Sequence, residues 1–514
     1  MAKIALSLSG GGFRASTFHL GTLSYLNHLK LSDGRPFLEL VNTISTISGG
    51  TLTGLWYMMN LCNKVDTDAS FKELYQRMLS VDILGKATDD YFNKNNSNTS
   101  FIKEMVKVYD VFFFNNETLG KILDNADNIA VKHFSANATD FRNGLQFRFQ
   151  SSKVQGNTRI TSGVIGNSSA KIPRDIASQI HLSEIFAASS CVTGAFEPLI
   201  FPTDFHLADD EKNKEYVGKT KEIGLMDGGC IDNQGIEPVL LLRERENIDI
   251  FIVSDSSTGK FSPYSYTPTK STGWSIHRVN QVLNCVVLFF AQFLLWVPKG
   301  FWFGFFSSLS IAALLIRVTT ALLTRKYIKK GFSLIPFHFD WKPLLNVPFN
   351  KWADFFITRG KSVLMLATSI NFKHIRKLNY ASVWEDEQWE NRRIMNALYE
   401  LRADSNAYKD VAEEDRDFMK PSELIEQNSQ LASRMSTTLW FSEDDRKQNI
   451  PAALFSSGQY NICWNLLEYV LKIKSDPTNT SEEHKLILEC EQQLRNDWQQ
   501  FQKDPQWLFK QSIY

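Results

Sequence analysis

This sequence of 514 residues has little cysteine, and the cysteine it has is scattered. Its six cysteines form no CxxC pair, and no histidine cluster lies beside them. This argues against a zinc site or a disulfide framework and is typical of a reducing compartment. Net charge is also lacking, since 56 Lys and Arg residues balance 56 Asp and Glu residues. The net charge therefore produces no overall electrostatic field that would favour binding of nucleic acid or an acidic partner.

Other familiar sequence features are missing as well. There is no internal repeat and no low-complexity tail. The first residues are typical of a strand followed by glycines, not of a basic region followed by an apolar run, so we expect no signal peptide. The length allows one large core or two smaller ones.

One region is far more apolar than the rest. Residues 279–298 carry no charge, and after Lys299 the segment 300–316 carries none either. About 20 helical residues span about 30 Å, the hydrocarbon thickness of a bilayer. We therefore predict a membrane-associated helical hairpin over 279–323 that turns at Pro298-Lys299-Gly300. Two helices buried in a soluble core, or a hairpin that only dips into the bilayer, are the alternatives.

Positive charges flank this hairpin. Arg278 precedes it, and the basic residues Arg325, Lys326, Lys329 and Lys330 follow it. By the positive-inside tendency, both flanks and the rest of the chain are expected on the cytoplasmic side of the membrane.

Strand and helix patterns alternate before the hairpin. Residues 1–60 are typical of a strand, glycine turn, helix, strand, turn and helix, with the second strand at Phe37 to Ile47. Residues 145–170 alternate like sheet, and 222–254 is typical of strand, helix and strand. This order predicts an α/β layered sheet.

Two regions are predicted to be mainly helical. Residues 61–140 are polar and helical in pattern, with a loop at 93–98, and residues 350–514 combine charged and aromatic residues at helical spacing.

A run of glycines ends the first strand. Gly10-Gly11-Gly12-Phe13-Arg14 separates the strand Ile4 to Leu8 from the following helix. Such a loop leaves backbone N–H groups bare at the positive end of a helix, where they stabilise negative charge. The charge could be a bound phosphate or an oxyanion that forms only in a transition state.

Ser48 lies between an apolar strand and a helix. A serine on a sharp strand-to-helix turn has an exposed hydroxyl, and the small residues Gly49, Gly50 and Gly54 let the turn fit against neighbouring strands. This arrangement is typical of a nucleophile elbow. The alternative is a serine N-cap with packing glycines.

Asp227 ends another strand and is followed by Gly228 and Gly229. A carboxylate in this place can face a cleft and act as the base that a serine hydroxyl needs. An ordinary Asp-Gly turn is the alternative.

Together these three segments resemble the patatin-like phospholipases, and the first two are closest to the cytosolic phospholipase A branch. The matching blocks are Ser9-Gly10-Gly11-Gly12-Phe13-Arg14-Ala15, Ile47-Ser48-Gly49-Gly50 and Met226-Asp227-Gly228-Gly229. Ala187-Ala188-Ser189-Ser190 and the segment 195–202 also resemble the family, as does Thr437 to Tyr469. One departure is Thr46, where the family has glycine two residues before the serine.

The resemblance implies a fold and a mechanism. The fold is a three-layer α/β sheet flanked by helices, interrupted here by the hairpin. Ser48 is implied as nucleophile, Asp227 as general base, the backbone of Gly10, Gly11 and Gly12 as oxyanion hole, and Arg14 as support for a phosphate headgroup or the loop. The implied Ser/Asp dyad needs no histidine, metal or cofactor.

Domain bounds follow from the motifs and composition. We predict a catalytic core over 1–262, in which 61–140 is a possible cap or lid, and the hairpin over 279–323. The rest of the catalytic domain is predicted over 330–475, and a C-terminal helical segment over 476–514.

Other residues offer competing chemistry. His277, His338 and His374 follow Asp227 in the chain order of a Ser/His/Asp triad, but none lies in a glycine-flanked loop. His19 is interpreted as a packing or surface residue, and Asp255, at the end of a strand, as a cleft or turn residue.

The predicted function is a membrane-associated lipid acyl hydrolase that acts on phospholipid or another acyl lipid. A lipid acyltransferase with the same dyad is the second enzymatic hypothesis. A phosphate- or nucleotide-binding module and a catalytically silent membrane protein are hypotheses of other classes. The missing P-loop lysine argues against the nucleotide hypothesis. The sequence does not indicate which proteins, if any, this chain binds.

Overall fold

The computed structural model describes residues 3–93, 100–152, 165–243, 246–259, 270, 273–332, 345–475 and 482–513. The chain forms two compact units, of which the first comprises residues 1–260 and 367–514 and the second residues 261–366. Most of the loop predicted at 93–98, part of the pattern at 145–170, and His338 lie outside the described residues.

The strands, in chain order, are β1 (Ile4–Leu8), β2 (Val41–Ile47), β3 (His133–Asp140), β4 (Leu145–Gln150), β5 (Leu199–Phe201), β6 (Ile223–Asp227), β7 (Ile250–Asp255) and β8 (Arg393–Ala397). The helices of the described residues are α1 (Gly12–His28), α2 (Gly49–Cys62), α3 (Thr67–Ser80), α4 (Ile83–Asn93), α5 (Phe101–Tyr109), α6 (Leu119–Asn125), α7 (Arg174–Ala177), α8 (Leu182–Ser190), α9 (Glu211–Lys219), α10 (Gly229–Asp232), α11 (Glu237–Arg243), α12 (Ile276–Phe293), α13 (Phe301–Phe332), α14 (Phe349–Met365), α15 (Asn371–Trp384), α16 (Glu413–Met419), α17 (Glu423–Ala432), α18 (Glu443–Lys447), α19 (Ile450–Ser475), α20 (Glu482–Leu488), α21 (Glu491–Lys503) and α22 (Trp507–Ile513).

The first unit is built on one sheet of eight strands. Its order is β5-β6-β3-β2-β1-β7-β8, with β4 paired to β3. The central strands β3, β2, β1, β7 and β8 run parallel, whereas β4 and β6 run antiparallel to β3, and β5 antiparallel to β6. Parallel strands place their carboxyl ends on one edge of the sheet, where ligands bind in such folds. The segments that follow β1, β2 and β7 therefore meet at this edge.

This architecture confirms the predicted α/β fold class. The strand at 4–8 forms as predicted and is buried along its whole length. The second strand begins at Val41, later than predicted, because Phe37–Leu40 forms a turn of 3-10 helix. Strands β6 and β7 bracket α11, as the pattern of 222–254 indicated.

Two strands depart from the sequence-based prediction. Residues His133–Asp140 were assigned to a helical region, yet they form β3. The sequence of β3 consists largely of small and polar residues and contains no Val or Ile, so it lacks the usual pattern of a strand. It forms a strand because it pairs with neighbouring strands and is covered by α8. Strand β8 lies within the region predicted to be helical and extends the sheet beside β7.

The C-terminal part of the first unit packs on the first helix. Helices α1 and α19 are both almost fully buried and lie against each other. They approach closely at Gly21 and Gly458, where an added Cβ would collide with the backbone carbonyls of Phe455 and Phe18. This helix pair fixes α1, whose first turn carries the glycine run.

The second unit contains the apolar helices. The phenylalanine rings of α12 and α13 stack, with 5.0 Å between the centroids of Phe293 and Phe306. None of α12 is buried, and Trp296 and Phe301 are about four-fifths exposed, at 82% and 79%. Within α13, Phe301–Leu323 is 23 residues long and apolar enough to cross a membrane. It is the only helix of the described residues that satisfies both conditions.

Candidate active site

Ser48 occupies a sharp turn between β2 and α2. Its backbone has φ 50° and ψ −119°, in the positive-φ region that side chains rarely adopt, at a cost of about 1–3 kcal/mol. The turn is held in place by hydrogen bonds. The Ser48 N–H donates to Ser189 Oγ (2.8 Å), and the Ser48 carbonyl accepts the N–H of Thr51 (2.8 Å). A strained serine at this position is what a nucleophile elbow requires.

Ser189 is the residue that supports this turn from outside. Its hydroxyl donates to the carbonyl of Asn137 (2.7 Å) and lies 2.8 Å from the hydroxyl of Thr51. Sequence reasoning noted Ser189 only as part of a family-like run and gave it no role. Its position at the end of α8, 141 residues from Ser48, offers no local signal of the contact.

The helical side of the turn is packed against the glycine run. A Cβ on Gly49 would collide with the carbonyl of Gly12, so only glycine allows this approach. Thr46, the departure from the family pattern, is accommodated by Gly54. A Cβ at Gly54 would lie 2.5 Å from the Thr46 methyl, so the space that the threonine needs comes from the following helix.

Asp227 lies at the end of β6 and contacts Ser48. Its carboxylate accepts the N–H of Gly229 (2.7 Å), and it interacts with the hydroxyl of Ser48, which favours its charged form. Burial raises the pKa of Asp227 to about 6, and the interactions with Ser48 and the Gly229 N–H partly oppose this rise. The structure thus joins two side chains that are 179 residues apart in the sequence.

The glycine run lies directly beside Ser48. A Cβ added to Gly10 would be 3.2 Å from the Cβ of Ser48. The backbone of Gly11 has φ 145° and that of Gly12 φ 61°, conformations that favour glycine.

The N–H groups of this loop differ in their partners. The N–H of Gly10 donates to the carbonyl of Asn233 (2.9 Å), and that of Phe13 donates to the carbonyl of Thr438 (2.7 Å). Within the part of the chain that the structure describes, the N–H groups of Gly11 and Gly12 have no such partner. Two donors therefore remain for a ligand, while the Gly10 donor is occupied.

A family model covers the part of the chain that contains these residues. The model of the patatin-like phospholipase family matches residues 6–240, which include the glycine run, Ser48 and Asp227. Residues 6–240 form a patatin-like phospholipase domain.

The chain is also similar to solved structures, at low sequence identity. Two similar structures are human GIVD cytosolic phospholipase A2 (13% identity, TM-score 0.32) and the same enzyme with methyl gamma-linolenyl fluorophosphonate and terbium chloride (14% identity, TM-score 0.28). The matches cover 55% and 50% of this chain, and 47% and 41% of those chains, so they span less than half of the human enzyme. No curated protein matches the chain significantly.

Arg14 of the patatin-like domain lies under the glycine run. Its guanidinium donates to the carbonyl of Met435 (3.1 Å), and its Nη2 would be 3.5 Å from a Cβ on Gly11. The buried Nε has no hydrogen-bond partner among the described residues. Burial lowers the pKa of Arg14 to about 10, so the side chain stays charged at neutral pH. A buried cation in contact with the loop favours negative charge there.

The predicted histidines lie elsewhere. His19 of the patatin-like domain is buried between the Ser9 carbonyl (3.0 Å) and the Ser254 hydroxyl (2.9 Å), which fits a packing role. Burial lowers the pKa of His19 to about 4. His277 belongs to the second unit, and His374 is exposed on α15. No histidine of the described residues forms a hydrogen bond with Ser48 or Asp227.

Asp255 does not open into the Ser48 site but is buried in an ion pair. It accepts hydrogen bonds from Arg376 Nε (2.8 Å) and the Tyr380 hydroxyl (3.0 Å), and the Arg376 charge lowers its pKa although burial opposes this. The next residue, Ser256, donates from its hydroxyl to the carbonyl of Gly10 (3.0 Å). The end of β7 therefore supports the glycine run.

Proposed function

We propose that this chain is a lipid acyl hydrolase of the phospholipase A or lysophospholipase type, with a Ser48–Asp227 dyad. The observation that carries the proposal is the strained Ser48 beside the buried carboxylate of Asp227, next to the N–H groups of Gly11 and Gly12, which have no hydrogen-bond partner among the described residues. The family match over residues 6–240 supports lipid ester hydrolysis as the reaction class.

The proposed reaction begins with the Ser48 hydroxyl. Asp227 accepts the Ser48 proton while Oγ attacks the ester carbonyl, and the resulting oxyanion accepts hydrogen bonds from the N–H groups of Gly11 and Gly12. The protonated Asp227 then gives its proton to the leaving alcohol as the C–O bond breaks, and an acyl-enzyme remains. Water attacks this ester with Asp227 again as base, which releases the fatty acid and restores Ser48.

Arg14 has a supporting role in this proposal. Because its guanidinium is buried beside Gly11, its charge stabilises the loop and the oxyanion without direct contact with the reacting atoms. The N–H of Gly10 contributes by holding the loop to Asn233 rather than by binding the oxyanion.

A serine-directed probe tests the nucleophile. An alkyl fluorophosphonate added to the full-length protein is expected to modify Ser48, since this serine lies beside a base and two oxyanion donors. Peptide mapping by mass spectrometry identifies the modified residue. Asp227→Asn is expected to slow the labelling at least about a hundredfold, because the base is lost. Modification of a different serine would contradict the assignment.

The pH dependence follows from Asp227. Only the ionised carboxylate can accept the Ser48 proton, and its pKa is raised to about 6. We therefore expect kcat/KM on a neutral short-chain ester to rise about tenfold per pH unit below pH 6 and to level off above it. His19, with its pKa lowered to about 4, does not titrate in this window. A profile that stays flat down to pH 4.5 would exclude Asp227 as the base.

We further propose that the second unit associates with a membrane. Its segment Phe301–Leu323 exposes apolar side chains, among them Ile311 (58%) and Leu315 (61%). In vesicle flotation we expect the protein to move with the lipid.

A matched pair of double variants tests this membrane contact. Ile311→Lys with Leu315→Lys is expected to leave the protein at the bottom of the gradient, because each lysine costs about 3 kcal/mol in the bilayer centre. Phe141→Lys with Leu424→Lys, at residues that are also exposed (58% and 49%) but lie in the first unit, is the control and should still float. Equal flotation of both double variants would refute the membrane contact of this helix.

A further inference from the structure

A cavity lies in the first unit, between helix α15 and strand β8. Its volume is about 350 Å³, within the range of small-ligand sites. Ser48, Asp227 and the glycine run do not line it. The cavity is therefore a separate feature that the proposed hydrolysis leaves unexplained.

Positive charge is concentrated on one side of this cavity. Lys373, Arg376 and Lys377 are three and four residues apart on α15, so they share one face of the helix. Arg376 forms an ion pair with the buried Asp255 (2.8 Å). Lys373 and Lys377 are both exposed at the rim. Among the described residues that line the cavity, none is acidic. The rim therefore attracts an anion.

The remaining wall is aromatic and apolar. The rings of Tyr380 and Trp384 meet edge to face, with 5.0 Å between their centroids. The Arg376 guanidinium carbon lies 5.3 Å from the centroid of the Tyr380 ring and 5.5 Å from that of the Tyr399 ring. Met395 also lines the cavity.

This wall is held in place before any ligand binds. The Tyr380 hydroxyl is fixed by Asp255 (3.0 Å), and Trp384 is covered by the guanidinium of Arg393 (5.7 Å from the ring centroid). A wall that is already ordered loses little entropy on binding.

We propose that this cavity binds the anionic head of an amphiphile, together with the first methylene groups of its chain. The head is a single carboxylate or phosphate that meets Lys373 and Lys377, and the chain lies on Tyr380, Trp384 and Met395. A nucleotide fits less well. The rings meet edge to face rather than forming a parallel slot, and the described residues that line the cavity include no amide or carboxylate side chain to recognise a base edge.

Two classes of amphiphile carry such a head group: a fatty acid carries a carboxylate, and an anionic lipid carries a phosphate. Calorimetric titration of the full-length Ser48→Ala variant with decanoate and with dihexanoyl phosphatidic acid, both below their micelle concentrations, distinguishes them. Binding of decanoate alone assigns a fatty acid, binding of the phosphatidic acid alone assigns a lipid phosphate, and binding of both assigns any such anionic head. Dihexanoyl phosphatidylcholine, which carries no net charge, is expected to bind at least about tenfold more weakly.

Substitution of the two rim lysines tests whether the anion binds in this cavity. Lys373→Gln with Lys377→Gln is expected to weaken the binding of the anion about tenfold, since each lost charge removes a favourable contact. Lys409→Gln with Lys447→Gln removes two exposed lysines from elsewhere in the same unit and should leave the affinity unchanged.

Four results would overturn the proposal. They are no binding of either anion, equal binding of phosphatidylcholine, an affinity that does not depend on Lys373 and Lys377, and lysine-dependent binding of adenosine monophosphate in place of the amphiphiles. Because the titration uses a protein without the Ser48 hydroxyl and measures heat rather than turnover, its outcome does not depend on the proposed hydrolysis.

Discussion

Replacing Ser48 with alanine is expected to lower the kcat of ester hydrolysis by at least about a thousandfold, and Asp227→Asn by a similar factor. The two side chains act as one unit, because the hydroxyl is a poor nucleophile without the carboxylate that accepts its proton. The double variant should therefore be about as inactive as either single variant. Turnover of a micellar phospholipid, measured as released fatty acid, checks this.

Asp232→Asn is the matched control for this loss. Asp232 is also buried, and burial also raises its pKa, but its carboxylate accepts the backbone N–H groups of Gln234 (3.2 Å) and Glu237 (2.8 Å). We expect this variant to retain activity within about tenfold of the wild type. Full activity of Ser48→Ala, or equal loss in Asp232→Asn, would contradict the dyad.

The same variants differ in stability in a way that separates catalysis from folding. The pKa of Asp227 is raised from 3.8 to about 6, so the fold disfavours its ionised form. The stability linked to this group is fully present below pH 3.8 and is lost as the pH rises through about 6. At neutral pH, Asp227→Asn should therefore raise the free energy of unfolding by up to about 3 kcal/mol. Urea denaturation at pH 7.5 measures this gain, and a less stable variant would speak against the raised pKa.

Replacing Arg376 with methionine is expected to lower the free energy of unfolding by about 3–5 kcal/mol. The side chain of Asp255 is completely buried (0% exposed), and Arg376 is its cationic partner. Without this cation the carboxylate stays buried with polar partners such as the Tyr380 hydroxyl, Gln234 and Ser257 and with the more weakly coupled charge of Arg14, so its pKa rises. Urea denaturation checks the loss.

Two further variants show whether the cost comes from the buried charge. Adding Asp255→Asn to Arg376→Met removes the uncompensated carboxylate and should recover more than half of the lost stability. Arg243→Met is the matched control, because Arg243 is similarly exposed (24% against 22%) but its partner Asp386 is 30% exposed. Because water can solvate Asp386, we expect Arg243→Met to lower the free energy of unfolding by at most about 1 kcal/mol. Equal losses in the two arginine variants would refute the role of burial.

Much of the fold was readable from local pattern. Strand β1, the turn at Ser48 and the strand that ends at Asp227 each combine an apolar run with glycines, and this combination is a local signal. Strand β3 was missed because its small polar residues lack that signal. Strand β8 was missed because it is short and lies within helical sequence, and only its pairing with β7 makes it a strand.

The candidate site divides in the same way. By itself, the sequence determined the residue types of the site, because a glycine run, a serine on a strand-to-helix turn and an Asp-Gly-Gly segment each have their chemistry within a few residues. Only the tertiary structure decided which atoms are available. The carbonyls of Asn233 and Thr438 accept the N–H groups of Gly10 and Phe13, so the N–H groups of Gly11 and Gly12 remain available to a ligand. Asp255 is instead engaged in a buried ion pair with Arg376. These contacts join residues more than a hundred positions apart, and their geometry depends on how the strands and helices pack, which no local pattern records.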